Sequence, residues 1–230
     1  MGVTAPPPSP ASPCAPAPLV IGIDVGGPRK GCHAVLVRGT EILSRRRERD
    51  PAALAAWCAA QHAAVVAVDA PCRWRRPAPA PARTAERALA AAGIACYYAP
   101  TEERARSHPF YSWMLPGAAL FAALRDSGFP LHLDAADATA RPVSIETFPQ
   151  AVACALAGTH VSARPADKRR VRSDLLRAAG FALTGNESQD ELDALLCALA
   201  ATAFARGAFH AYGDATDGFI VVPAPGGLKP

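Results

Sequence analysis

Residues 19–25 read LVIGIDV, an apolar run broken only by Gly22 and Asp24 and bounded by Pro18 and Gly26-Gly27-Pro28. A run this short suits a buried strand better than a helix. Two more runs follow at close range. CHAVLV (32–37) is the first; across the tight link Arg38-Gly39-Thr40 comes EILSRRRER (41–49), with its charged end toward solvent. Parallel pairing needs a crossover of about a dozen residues, so strands joined this closely form an antiparallel meander. Asp50 then offers an N-cap and Pro51 a first-turn proline, which predicts a helix over 50–62. AVVAV (64–68) reads as a fourth strand, ending at Asp69-Ala70-Pro71.

Beyond Pro71 the pattern alternates. An Arg/Pro/Ala-rich loop covers 72–82, a helix 83–92, a short strand 94–98, a loop 101–113 and a helix 114–127. PVSIETF (142–148) is a further strand, followed by helices over 149–156, 167–179 and 188–206 and a last strand at 219–222. Ser188 and Glu191 have capping-box spacing at the start of the long helix. A meander followed by alternating helices and strands predicts an α/β fold, a mixed sheet with helices on both faces. The organisation expected is a disordered Pro/Ala-rich leader (1–18), one domain (19–223) with an insertion around 72–140, and a flexible tail (224–230).

Composition excludes several classes. No stretch approaches the ~20 apolar residues of a membrane span. Residues 1–18 carry no charged side chain and lack the basic and apolar regions of a secretory signal. The seven cysteines are scattered without CxxC or zinc-like spacing, which suggests buried thiols in a reducing, cytoplasmic compartment. Net charge is +4, and the only lysines are Lys30, Lys168 and Lys229. An arginine-rich balance suits phosphate recognition, and it also follows from a codon preference for arginine.

The informative feature is where the acids fall. Asp24 lies near the end of the first strand, Asp69 ends the fourth and Glu146 lies in SIETF. One acid at a strand end is commonly a turn former; three at the ends of three apolar strands point elsewhere, because α/β sheets bind ligands beyond the carboxyl ends of their strands. Asp190 and Asp193 share a face of the long helix at i, i+3. Converging carboxylates repel and raise one another's pKa. A cation removes that penalty, and oxygen ligands without a His/Cys set point to Mg²⁺ or Mn²⁺. Two such ions about 3.5–4 Å apart are the usual apparatus of phosphodiester hydrolysis.

The segments GIDVGGPRKGCHAVLV (22–37), VAVDAPCRW (66–74), RTAERALAAAGI (83–94), PFYSWMLPGAALF (109–121), SIETFPQAV (144–152), QDELDALLCALAA (189–201) and YGDATDGFIVVP (212–223) resemble the family called domain of unknown function 429, often described as ribonuclease H-like nucleases. The resemblance implies a ribonuclease H-like mixed sheet, with the first-strand acid at Asp24, the fourth-strand acid at Asp69 and the closing-helix acid at Asp193. The D-x-x-D pair of Asp190 and Asp193 is similar to the closing helix of bacterial Holliday-junction resolvases. The implied activity is that of a metal-dependent nuclease. Asp24, Asp69, Glu146 and Asp193 would be catalytic, and Asp24, Asp69, Asp190 and Asp193 would hold the metal. Glu146 stands as an extra ligand without a settled counterpart, and Glu86 as a partner of Arg83 or Arg87.

Basic and aromatic residues suit a nucleic-acid partner. Arg73, Arg75 and Arg76 flank Trp74 directly after Asp69, placing phosphate donors beside a stacking ring. Lys168, Arg169, Arg170 and Arg172 are expected to face outward on one helix, and Lys30 sits in the turn after Asp24. Tyr111 and Trp113 read as packing residues, and His33 and His108 as structural. Two alternatives stay open. GIDVGG (22–27) resembles the first phosphate loop of actin and sugar-kinase ATPases, whose second lobe a homodimer would have to supply. A non-catalytic nucleic-acid-binding scaffold is the other.

Overall fold

The computed structural model describes residues 17–27, 29–77, 81–133 and 141–226. Most of the expected leader, Cys14 included, and residues 227–230 of the expected tail lie outside the described residues. Strands β1 (Leu19–Val25), β2 (Cys32–Arg38) and β3 (Glu41–Glu48) form the meander, with β1–β2 and β2–β3 antiparallel. Helix α1 (Pro51–Ala60) follows, capped by Asp50, whose side chain accepts from the Ala52 amide at 3.0 Å. Strand β4 (Val65–Asp69) returns parallel to β1, and β5 (Val143–Glu146) parallel to β4. Strands β6 (Phe209–Asp214) and β7 (Gly218–Pro223) form a closing hairpin, giving the seven-stranded order β3-β2-β1-β4-β5-β7-β6. An antiparallel three-strand start continued by parallel strands is the ribonuclease H-like arrangement.

Between β4 and β5 lie α2 (Thr84–Ala91), α3 (Glu102–Ser107), a 3-10 turn (Pro109–Met114) and α4 (Leu115–Asp126). Helices α5 (Pro149–Ala157), α6 (Pro165–Ala178) and α7 (Gln189–Ala205) precede the hairpin. One sheet face packs against α7, with α5, α6 and α2 around it; the other packs against α1 and α4. Helix α7 is buried nearly all round and built from Ala and Leu, so its backbone lies close to the sheet. Gly22 makes that approach feasible, since a β-carbon there would stand 2.1 Å from the Ala194 carbonyl oxygen and 2.2 Å from the Ala198 nitrogen. The Ser188–Glu191 capping box fixes where α7 begins, with bonds of 3.2 and 2.8 Å. Among the described residues no helix is long and apolar enough to cross a membrane.

Three local expectations differ from the structure. Residues 94–98 join no strand; the segment is held instead by the Ile94 amide on the Leu89 carbonyl and the Ala99 amide on Glu86. Residues 101–113 are not a loop, because Thr101 caps α3 and the His108 imidazole caps the 3-10 turn by accepting from the Phe110 amide at 3.2 Å. Strand β6 carries the mixed sequence FHAYGD, whose weak alternation hides it until β7 offers a partner. The six described cysteines are free, and Cys32, Cys58, Cys154 and Cys197 are buried as expected.

Candidate active site

Asp24 and Asp69 stand at the carboxyl ends of β1 and β4 and are register partners across that parallel pair. In-register residues of adjacent strands point to the same face, one strand spacing apart. Both are half-buried. Among the described residues neither carboxylate has a hydrogen-bond donor or an ion-pair partner. Burial, followed by the charge of Asp190, pushes the Asp24 carboxyl from its ordinary 3.8 up to about 7. Burial and the charge of Asp24 push Asp69 well above the ordinary range.

Helix α7 brings two more acids. Asp190, in the first turn, accepts from Lys30 Nζ at 2.6 Å and lies 3.2 Å from His33 Nδ1. His33 is the register partner of Asp24 across the antiparallel β1–β2 pair. Asp24, His33 and Asp190 each offer a ligand atom within 4.8 Å of the others. From the sequence alone His33 reads as structural; the signal that points to the site is its position opposite Asp24 in the hairpin.

Asp193, one turn deeper, is not an open carboxylate. It pairs with the Arg172 guanidinium and with Lys168 Nζ at 3.4 Å, and it accepts from Gln189 at 3.0 Å. Arg172, expected on the outer face of α6, is buried. Lys168, Arg172 and Leu176 share one stripe at i, i+4, i+8, and Leu176 is anchored in the core, so the stripe turns toward α7. Burial lowers the pKa of Lys168 and brings Arg172 down to about 10.

Glu146 is buried and held by Arg83, whose two terminal nitrogens donate to its oxygens at 2.8 and 2.6 Å; it also accepts from the Cys72 amide at 2.8 Å. Its lone pairs are thus directed at protein donors, in contrast to the extra-ligand expectation. Arg83, itself buried, also donates through Nε to Glu86 at 2.9 Å, which resolves the Glu86 alternative in favour of Arg83 over Arg87. Asp69 and Glu146 line the same small cavity of about 70 Å³ with Tyr97 and Trp113.

The basic residues divide. Lys30 and Lys168 sit at the acid cluster. Arg73 donates to the Thr216 carbonyl at 2.8 Å, and together with Trp74 it lines a groove of about 820 Å³ beside Pro71. The Arg75 amide bonds the Pro100 carbonyl at 3.0 Å. Arg169 is turned away toward the Gly185 carbonyl at 3.1 Å.

The seven-stranded mixed sheet sets the acids at the ends of its first and fourth strands side by side. The chain belongs to the family described as protein of unknown function (DUF429), which matches residues 22–217. Among solved structures it is similar to a RuvC structure from Thermus thermophilus, with 16% identity, a TM-score of 0.42, and coverage of 82% of this chain and 95% of that one. No curated protein matches the chain.

Proposed function

We propose that this protein is a divalent-metal-dependent nuclease that hydrolyses phosphodiester bonds at the Asp24–Asp69 cleft. The observation that carries the reading is the pair of in-register, half-buried carboxylates that, among the described residues, have no hydrogen-bond donor and no direct ion pair, the charges of Lys168 and Arg172 acting on them only from a distance. Two adjacent acids in that state repel, and a hard cation is the partner their oxygen chemistry fits. Asp24, Asp190 and the His33 imidazole, whose ligand atoms lie within reach of one ion, would hold it, and Asp69, the register partner of Asp24, would complete the set. Such an ion, when bound, neutralises the acids and lowers the pKa of a coordinated water. Imidazole favours the softer of the two expected metals, so Mn²⁺ fits this set better than Mg²⁺.

The chain's own residues supply the rest. Asp193 gathers Lys168 and Arg172, so its carboxylate is paired rather than open to a second ion. Half-exposed Lys168 would hold a phosphate against the acids and offset the charge that builds on its oxygens during attack, while the buried Arg172 acts on the acids through its charge. Lys30 does the same from the turn after β1. This is a one-ion variant of the two-ion scheme that the acids suggest from sequence. Arg73 and Trp74 lie along the adjoining groove, suited to phosphate and base contacts.

The test is incubation of the purified protein with single-stranded, duplex, hybrid and branched nucleic acids in Mg²⁺ or Mn²⁺, beside Asp24→Asn and Asp69→Asn. Cleavage by the wild type, lost in both variants, is expected. Cleavage unchanged in Asp24→Asn, or no cleavage of any substrate by metal-loaded protein, overturns the reading.

A further inference from the structure

Large exposed aromatic side chains are gathered in one place. Among the described residues the exposed large hydrophobics are Leu43, Tyr97, Tyr98 and Phe110, and of these Tyr97 and Phe110 are in ring contact. Tyr97 is 69% exposed and Phe110 52%. Tyr97 meets Phe110 edge-to-face at 6.1 Å and Trp113 at 6.0 Å. Edge-to-face packing secures one ring against the next, and Tyr97 and Phe110 nevertheless keep more than half of their surface exposed.

The patch is firmly held. The segment carrying Tyr97 joins no strand, yet the Ala99 amide donates to the buried Glu86 carboxylate at 2.8 Å. Glu86 is paired with Arg83, and Arg83 with Glu146 at the end of β5. A buried ionic chain thus ties the aromatic segment to the sheet.

The patch also adjoins the acid cleft. Tyr97 and Trp113 line the cavity that Asp69 and Glu146 share. Gly117, in the first turn of α4, lies so close to Ala70 that a β-carbon there would stand 2.4 Å from the Ala70 methyl. The loop carrying Arg73 and Arg75 is tied to the same segment through the Arg75 amide on the Pro100 carbonyl at 3.0 Å.

We propose that Tyr97, Phe110 and Trp113 form a stacking platform for unpaired bases, so that the nucleic acid handled at the Asp24–Asp69 cleft is single-stranded where it crosses this surface; this rests on the nuclease reading for the cleft itself. The chemistry favours an unpaired strand. In a duplex the base faces are covered by neighbouring bases, whereas a splayed base offers its face to an aromatic ring. The arginine loop alongside matches the phosphates between successive bases.

The test is binding without divalent ion, read by fluorescence anisotropy on a labelled deoxythymidine oligomer of about twelve nucleotides and on a duplex of equal length. A 2-aminopurine placed in the oligomer reports stacking by quenching. The wild type is expected to prefer the single strand and to quench the probe. Tyr97→Ala and Phe110→Ala should each weaken single-strand binding about 5- to 100-fold and relieve the quenching, with the salt slope unchanged. Tyr97→Leu and Phe110→Leu keep apolar area without a π-face and should behave like the alanine variants. Equal binding of both forms, alanine variants without effect, leucine variants with wild-type affinity, or no binding at all would each overturn the platform. Metal-dependent cleavage of duplex that persists in Tyr97→Ala would sink the platform and leave the nuclease reading intact. Aromatic-dependent binding without cleavage in Mg²⁺ or Mn²⁺ would do the reverse.

Discussion

Replacing Asp24 by asparagine should stabilise the metal-free protein above neutral pH. The Asp24 carboxyl titrates at about 7 in the fold and at its ordinary 3.8 in the unfolded chain. Its native pKa is raised, so between those values the native state binds more protons than the unfolded state. Stability is fully present below the unfolded value and is lost as pH rises through the folded one. At 1.36 kcal/mol per pH unit, the displacement corresponds to about 4 kcal/mol at most. Asp24 is half-buried and open to the cleft, which screens part of this, so a loss on the order of 2–4 kcal/mol is expected. The asparagine side chain carries no charge at any of these pH values and also relieves the repulsion on Asp69, which Asp24 raises. The assay is urea unfolding in chelator at several pH values from about 4 to 8 for both proteins. The gap between them should open through about pH 4–7, favour Asp24→Asn, and then level off. Mn²⁺ should close it by stabilising only the wild type, by about 2.7 kcal/mol at a hundred times its Kd. Parallel pH profiles for the two proteins would refute the reasoning.

Other outcomes follow from the same contacts. Arg83→Met leaves Glu146 and Glu86 buried without their cation and should cost about 3–5 kcal/mol in chemical unfolding; Arg83→Lys, lacking the fork, should recover only part of it. Gly22→Ala drives a β-carbon into the α7 backbone and should lower stability by about 1–3 kcal/mol or more while weakening Mn²⁺ binding through a displaced Asp190, whereas Gly27→Ala, with open space around it, should be nearly silent. Calorimetric titration with Mn²⁺ should give one ion per chain; two would mean that Asp193 leaves Arg172 and Lys168 to become a ligand. Asp193→Asn should destabilise the fold by about 3–5 kcal/mol, because Arg172 is then buried unpaired, and Asp193→Asn/Arg172→Met should recover most of that loss in the same unfolding assay.

How much of the molecule is legible without its structure depends on the range of the interactions involved. The meander, the fourth strand and the capped long helix rest on local rules: run length, tight links, Asp50 and Ser188 at helix starts. Those rules also place Asp24 and Asp69 at strand ends, and the parallel register then puts them side by side. Strand β6 and the true state of residues 94–98 depend on whether a neighbouring edge exists, which periodicity does not encode. The same holds for charge pairing. Glu146 resembles a ligand in the sequence because an acid ends an apolar strand, but Arg83, 63 residues away along the chain, claims both its oxygens. Arg172 reads as part of a solvated basic face, yet Leu176 anchors its stripe of α6 against α7 and turns it onto Asp193.

The chain's sequence alone therefore carried most of its elements, its fold class and the strand-end positions of Asp24 and Asp69, because backbone periodicity and capping act within a few residues. Which carboxylates remain open and which are neutralised by arginine or lysine was set by packing, because an ion pair forms wherever the fold brings opposite charges within a few ångströms, whatever their separation along the chain.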